Sequence, residues 1–280
     1  MEQLIDNVLA TARGTLSAAG ICPTDADTLM AILLGKDRGY LLAFGRDTAL
    51  TAVQVQAFQT QIDQRCSGVP VAYLTGKRDF WSFSLQVNQH TLVPRPETEH
   101  LVENALELGD AETSLRVLDL GTGSGAIALA LATERPHWHI VASEVSLDAL
   151  SVARRNAAQL HLKQVEFVHS DWFVAIQGRY DLIISNPPYI AEGDPHMDKL
   201  RVEPQHALVS GPDGLQAIRQ IIQQAVDYLV PGGWLFIEHG ADQGAACQAL
   251  LNKQGFMQIG TQQDLAGIDR LSGGRYRQHL

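Results

Sequence analysis

From Leu115 to the end of the chain, short apolar runs alternate with segments of helical period, and this alternation constrains the fold more than any other feature. "LRVLDLG" precedes "AIALALATE", and "HIVASEV" precedes "LDALSVARRNAAQL". "VEFVHSD" and "YDLIISN" follow, then "GLQAIRQIIQQAVDYLV" leads to "GGWLFIEHG" and "AACQALLNKQGF" to "MQIGTQQDL". Strands alternating with helices imply a mostly parallel sheet with both faces covered, an α/β fold. Ligands on such sheets bind beyond the carboxyl ends of the strands, near the switch point in strand order. The residues that follow each apolar run are therefore the ones to read for chemistry.

The N-terminal region has another rhythm. "EQLIDNVLATARGTLSAAG" sets Leu4, Val8, Leu9 and Ala12 on one helical face and closes on a glycine; "CPTDADTLMAILLGK" and "LTAVQVQAFQTQIDQRCSG" repeat the pattern. Residues 1–70 are read as a small helical domain. In "VAYLTGKRDFWSFSLQVNQHTLVPRP" the alternation of Trp81, Phe83, Leu85 and Val87 suits a β-hairpin, so residues 71–95 are read as a hairpin linker and 96–280 as the sheet domain.

Composition narrows the function. With 31 acidic against 21 basic side chains and a net charge of −10, the surface as a whole is not built to attract nucleic acid phosphate, and no direct nucleic acid partner is expected. The three cysteines, Cys22, Cys66 and Cys247, lie far apart without CxxC spacing, which argues against a disulfide framework or a zinc site. The start carries acids where a secretory leader would carry bases, and the apolar runs are too short to span a bilayer. A cytoplasmic protein without a membrane partner is the expectation.

"DLGTGSG" sits where the first strand of the sheet should turn into its first helix. Its glycines, at 121, 123 and 125, do not match a dinucleotide loop, and GK[ST] is absent, so a phosphate cradle is disfavoured. GxGxG after an apolar strand with a leading acid resembles the cofactor loop of class I methyltransferases that use S-adenosylmethionine, which nominates Asp119, Gly121, Thr122, Gly123, Ser124 and Gly125. Glu144, at the tip of the second strand, is placed to accept both ribose hydroxyls. Many methyltransferases carry Asp there; this chain has the longer acid. In the same resemblance Asp171 accepts from the adenine amino group and Trp172 packs on the ring, although Trp172 is equally readable as a core aromatic.

"SNPPYI" ends the fourth strand on the same rim. As the resemblance implies, NPPY marks enzymes that methylate a planar nitrogen, whether adenine or cytosine amine or glutamine amide. Such a nitrogen is a poor nucleophile and becomes cationic as it takes the methyl group. Asn186 Oδ1 and the Pro187 carbonyl are two acceptors for its N–H groups, favouring the more cationic transition state. Proline rigidity at Pro187 and Pro188 holds them in place, and Tyr189 offers an aromatic wall. No metal and no acid/base dyad is required, and His90, His169 and His239 read as surface or packing residues.

Together "PVAYLTGKRDFWSFSLQVNQHTLVPRPETEHLVENAL", "DLGTGSGAIALALA", "SNPPYI", "EPQHALVSGPDGL" and "DLAGIDR" resemble the HemK/PrmC family of release factor glutamine methyltransferases. The resemblance implies a class I, Rossmann-like, seven-stranded sheet with S-adenosylmethionine as donor and S-adenosylhomocysteine as product. It implies as substrate the glutamine of the GGQ motif in class 1 peptide chain release factors, gripped by the N-terminal domain. Substrate contacts would come from Asn186, Pro187, Pro188, Tyr189, Arg95 and Glu97. Arg95, Glu97 and Glu99 organise the pocket or partner surface, or form salt bridges between linker and sheet domain. A glutamine of a ribosomal protein, or an adenine amine of DNA or RNA, is the alternative acceptor.

Overall fold

The computed structural model describes residues 3–110, 112–195 and 197–277; Glu2, where the first helix was expected to begin, lies outside them. The chain divides into two compact units, Met1–Lys77 with Asp198–Val202, and Arg78–Met197 with Glu203–Leu280.

The first unit is helical: α1 (Ile5–Ala18), α2 (Thr24–Leu34), α3 (Arg38–Phe44), α4 (Ala52–Cys66) and α5 (Val71–Thr75). In α1 the buried stripe is Ile5, Leu9, Ala12 and Leu16, which meets Leu29, Met30, Phe58 and Ile62 of α2 and α4. Leu4 and Val8, expected on that stripe, flank it half-buried, because the stripe is centred one residue later, on Ile5. Thr51 and Gln54 close a capping box at the start of α4. The half-buried pair Arg65–Asp25, at 2.8 Å, ties α4 to α2, and Arg201 donates to the Ser67 carbonyl at 2.8 Å.

The second unit opens with a hairpin, β1 (Lys77–Phe80) and β2 (Phe83–Gln86), shorter than the alternation suggested. Trp81 belongs to its turn, at φ +55°. Tertiary bonds hold that unfavourable conformation: the Trp81 backbone N–H donates to Glu99 Oε1 at 2.8 Å and its indole N–H to Glu134 Oε1 at 2.7 Å. After a 3₁₀ turn at Pro96–Thr98 come α6 (Glu99–Leu106), β3 (Arg116–Leu120), α7 (Ala126–Glu134), β4 (His139–Glu144), α8 (Leu147–Gln159), β5 (Val165–His169) and β6 (Tyr180–Ser185). Then follow α9 (Met197–Leu200), which from Asp198 on belongs to the first unit, and, in the second, α10 (Gln216–Tyr228), β7 (Leu229–Glu238), α11 (Gly244–Lys253), β8 (Phe256–Gln263) and β9 (Asp269–Tyr276).

The seven-stranded sheet runs β5-β4-β3-β6-β7-β9-β8. β5 through β7 are parallel, whereas β9 is antiparallel to both its neighbours. Alternate strand residues enter opposite layers. Val117, Leu182, Ile184 and Ile140 pack with α6 and α7, and Leu118, Leu120, Ile183 and Leu235 pack with α10 and α11. α7 is buried from Ala126 to Ala132, which explains why it is apolar all round. Strand order reverses between β3 and β6, the switch point at which a ligand site is expected. Among the described residues no helix is long and apolar enough to cross a membrane.

Candidate active site

Register assembles the site. Leu120 of β3 stands beside Ser143 of β4 and Ser185 of β6, Glu144 of β4 beside His169 of β5, and Ser185 beside Ile237 of β7. The residues after each strand therefore share one rim. There a cavity of about 410 Å³ opens, and its walls include Gly121, Gly123, Glu144, Asp171, Trp172, Asn186 and Pro188.

The glycine loop is shaped by positive φ at Gly121 (+72°), Gly123 (+57°) and Gly125 (+89°), angles that L side chains resist. A Cβ on Gly121 would sit 3.5 Å from the Trp172 ring, whereas one on Gly123 would meet no protein atom within 4 Å, so the loop backbone faces open cavity at Gly123. Thr122, Ser124 and Gly125 stand behind this surface and are buried. Asp119 is fully buried beneath the loop and accepts from Thr122 Oγ1 at 2.6 Å through Oδ2, while Oδ1 meets no donor within hydrogen-bonding geometry. Burial is the main reason its carboxyl is pushed up to about 7.

Glu144 spans from β4 to the loop. Its Oε2 accepts from the Gly123 backbone N–H at 3.0 Å and its Oε1 from the Ser146 N–H at 2.9 Å. The longer side chain thus anchors Gly123 while remaining on the cavity wall. Asp171 is exposed at the cavity edge. Trp172, at φ +47°, both lines the cavity and packs on the core containing Phe173 and Tyr228, so the two readings of this residue describe one position.

The NPPY turn is clamped from several directions. Asn186 Nδ2 donates to Thr98 Oγ1 at 3.0 Å, and the Tyr189 carbonyl accepts from Gln243 Nε2 at 3.0 Å. Ile190 bridges Val209 in parallel, and a Cβ on Gly214 would fall 2.3 Å from the Tyr189 carbonyl oxygen, so "GPDG" must carry glycine where it presses on the turn. This is how "EPQHALVSGPDGL" contributes His206, Ala207, Val209 and Ser210 to the far cavity wall. Pro187 is buried, and Tyr189 is not a wall of this cavity: its hydroxyl turns to Glu238 Oε1 at 3.4 Å. Burial, and then the neighbouring Glu238 charge, raise the Tyr189 pKa.

Arg95 does not line the cavity. Its guanidinium pairs with the buried Glu203, whose other oxygen accepts from the Val93 N–H at 3.0 Å, so it fastens the segment before α6 to "EPQ". Glu99 caps the hairpin turn at Trp81, as above, and Glu97 is half-buried beside Glu238 and Arg270. His239 is a packing residue, with one ring nitrogen 2.8 Å from the Gly240 carbonyl and the other 2.8 Å from Ser272 Oγ. His90, by contrast, joins the cavity wall and sits 3.6 Å from Asp148.

Thr98, Glu203 and Glu238 escape a reading of the sequence. Glu238 carried a signal, since it is the acid that ends the apolar run "WLFIE" on the functional rim. Burial, then the Glu97 charge, push its carboxyl up to about 7 against hydrogen bonding from Thr98 and Tyr189.

A glycine loop and an acid thus face NPPY across one cavity. A family model described as the methyltransferase small domain matches residues 98–208, and the PrmC N-terminal domain matches residues 7–76. The release factor glutamine methyltransferase of Xylella fastidiosa strain 9a5c is 50% identical over 90% of this chain and 92% of its own. The chain belongs to the release factor glutamine methyltransferase family. Its Escherichia coli member is 45% identical, with 91% of this chain and 92% of that one aligned. The fold of the family is shared more widely: a methyltransferase from Pyrococcus furiosus superposes at TM-score 0.52 with 19% identity, covering 69% of this chain and 88% of that one.

Proposed function

We propose that the protein transfers a methyl group from S-adenosylmethionine to the side-chain amide nitrogen of the GGQ glutamine of class 1 peptide chain release factors. The observation that carries this reading is that Asn186 and Pro188 of NPPY line the same cavity as Gly121, Gly123 and Glu144. Membership of the release factor glutamine methyltransferase family supports the choice of glutamine.

The cavity's donor set fits the cofactor. Glu144 retains lone pairs for two ribose hydroxyls, Asp171 offers an acceptor at the cavity edge, Trp172 a flat face, and Gly123 an unobstructed backbone. When bound, S-adenosylmethionine supplies an electrophilic methyl group on a sulfonium sulfur. Asn186 Oδ1 and the Pro187 carbonyl accept the two N–H groups of the glutamine amide, which orients its nitrogen lone pair along the line of attack. As the N–C bond forms and the methyl–sulfur bond breaks, its electron pair going to sulfur to leave neutral S-adenosylhomocysteine, the nitrogen becomes cationic, and both acceptors would bind it more tightly than in the ground state. The nitrogen then gives up one proton to solvent and is left as a neutral secondary amide. Pro187 and Pro188 restrict the backbone that carries these acceptors.

The helical unit recognises the release factor, and its exposed Leu42, Phe44 and Val53 suit a protein partner. Such a substrate places the enzyme in the cytoplasm. Incubation with radiolabelled S-adenosylmethionine and purified release factor, ribosomal protein or DNA tests the reading: label is expected in the release factor, and label confined to DNA would end it. Asn186→Ala is expected to slow transfer by roughly 100- to 1000-fold, the loss of about 3–4 kcal/mol typical of one transition-state partner. Cofactor affinity should remain within a few fold, and retained turnover would refute the role of Asn186.

A further inference from the structure

The prolines of NPPY stiffen the turn without aiming it. Their rings set φ at 187 and 188 but leave ψ free, and neither carries an N–H, so the Asn186–Pro187 and Pro187–Pro188 peptide planes cannot be tethered by donation. Nor can the Pro187 carbonyl be tied to another protein group if it is to accept from substrate. Its direction is therefore set from the two flanks of the turn. One flank is Ser185, which ends β6 in register with Leu120 and Ile237.

The other flank is the Tyr189–Ile190 peptide plane, which is gripped on both edges. Its N–H donates to the Leu208 carbonyl at 2.9 Å, and its carbonyl accepts from Gln243 Nε2 at 3.0 Å. Gln243, immediately before α11, is 8% exposed and is not a wall of the cavity. Its amide has one workable orientation, because every partner is a backbone group of fixed polarity: Oε1 accepts from the Gly240 N–H at 2.9 Å, while Nε2 faces the carbonyls of Tyr189 and, at 3.5 Å, Asp213. Gly214, at φ +72°, lets "GPDG" close on the same atoms, since a Cβ there would fall 2.8 Å from Gln243 Nε2. One side chain thus joins the NPPY turn, the "GPDG" loop and the loop after β7.

We propose that Gln243 is a positioning residue for methyl transfer: by donating to the Tyr189 carbonyl it fixes the peptide plane that ends the NPPY turn, and the prolines pass that constraint back to the Pro187 carbonyl and Asn186. This rests on the reading of those two groups as acceptors for the substrate nitrogen. What the turn needs from position 243 is a donor, because an acceptor there would repel the Tyr189 carbonyl.

The test compares Gln243→Glu and Gln243→Met with the wild type on a release factor substrate. Gln243→Glu keeps an acceptor for the Gly240 N–H and loses only the donor, whereas Gln243→Met keeps the reach of the side chain and loses both. Because misplacement by about 1 Å can slow a positioned reaction roughly 100-fold, kcat should fall roughly 10- to 100-fold in both, with KM for S-adenosylmethionine within about threefold. The stoichiometry of S-adenosylhomocysteine binding, measured by calorimetry, should be unchanged. A merely structural role would instead lose cofactor binding and activity together. A protonated carboxyl donates again, and burial holds the proton toward neutral pH, so lowering the pH from about 8.5 to about 6.5 should raise kcat of Gln243→Glu about threefold or more relative to Gln243→Met. The ionisable groups on and beside the joined segments, Tyr189, Asp213, Arg219, Glu238, His239 and Asp242, are the same in both variants and cancel from that ratio. Hydrogen exchange at Ile190, whose N–H lies in the gripped plane, should quicken about tenfold in Gln243→Met while Ile183 and Ile184 of β6 are unchanged. A kcat near the wild-type value in Gln243→Glu, a loss of cofactor affinity in step with kcat, or a ratio indifferent to pH overturns the proposal. A wild type that methylates no substrate overturns the functional reading instead, and exchange at Ile190 still decides whether Gln243 holds the turn.

Discussion

Glu144→Gln isolates what the cofactor side of the cavity depends on. The substitution is nearly isosteric, yet both carboxylate oxygens of Glu144 accept from backbone N–H groups, Gly123 at 3.0 Å and Ser146 at 2.9 Å. Whichever way a Gln amide turns, its NH2 confronts one of those donors. Leaving such a donor unsatisfied costs about 1–3 kcal/mol. Bonds from the ribose hydroxyls also lose their charge assistance, roughly 0.5–1 kcal/mol each if neutral bonds are half as strong. Part of the first cost is borne by the free protein; the rest appears on binding, because the loosened glycine loop must be brought back into place. A net loss of about 3 kcal/mol in affinity corresponds to roughly a 100-fold rise in Kd. Isothermal titration calorimetry with S-adenosylmethionine and S-adenosylhomocysteine measures it directly. Turnover at saturating cofactor should recover to within a few fold, since Glu144 is assigned to the ribose and not to the reacting methyl. A Kd within threefold of wild type would refute both the ribose assignment and the tether.

Asn156 is buried and makes three bonds that join the hairpin to the glycine loop, from the Gln86 N–H at 2.8 Å and to the carbonyls of Gln86 and Ser124 at 3.0 and 2.8 Å. Asn156→Ala is expected to cost about 2–4 kcal/mol in urea unfolding, from the polar groups it strands; a loss under about 1 kcal/mol would show that water replaces them. Asp119 has a folded pKa raised from 3.8 to about 7. The folded state therefore holds a proton that the unfolded chain has released, so stability should fall as pH rises between those values and level off above the folded pKa. Thermal melts of Asp119→Asn should show a shallower decline across that window, with a residual slope from Glu238, and an identical slope would mean Asp119 is ionised when folded.

Local pattern made much of this legible. The βα alternation predicted the parallel sheet because the central runs, β3, β4 and β6, are buried on both faces, and "DLGTGSG", Glu144 and "SNPPYI" were identifiable because each directly follows or ends such a run. Trp81 shows where that reasoning loses resolution, since two tertiary bonds to Glu99 and Glu134 draw it out of the strand and into the turn. Arg95 shows the same for function: beside two acids it reads as a partner or pocket residue, but its charge is spent on Glu203, more than a hundred positions away.

The sequence by itself determined which residues occupy the rim, because strand length and periodicity end each strand at a definite position. Only the tertiary structure decided which of them act on one another. Register sets Asn186 beside Glu238, the 3₁₀ turn brings Thr98 to meet the Asn186 amide, and Gly214 closes on the Tyr189 carbonyl. Each of these contacts joins segments distant in sequence and depends on angstrom-scale placement, which no local pattern of residue types encodes.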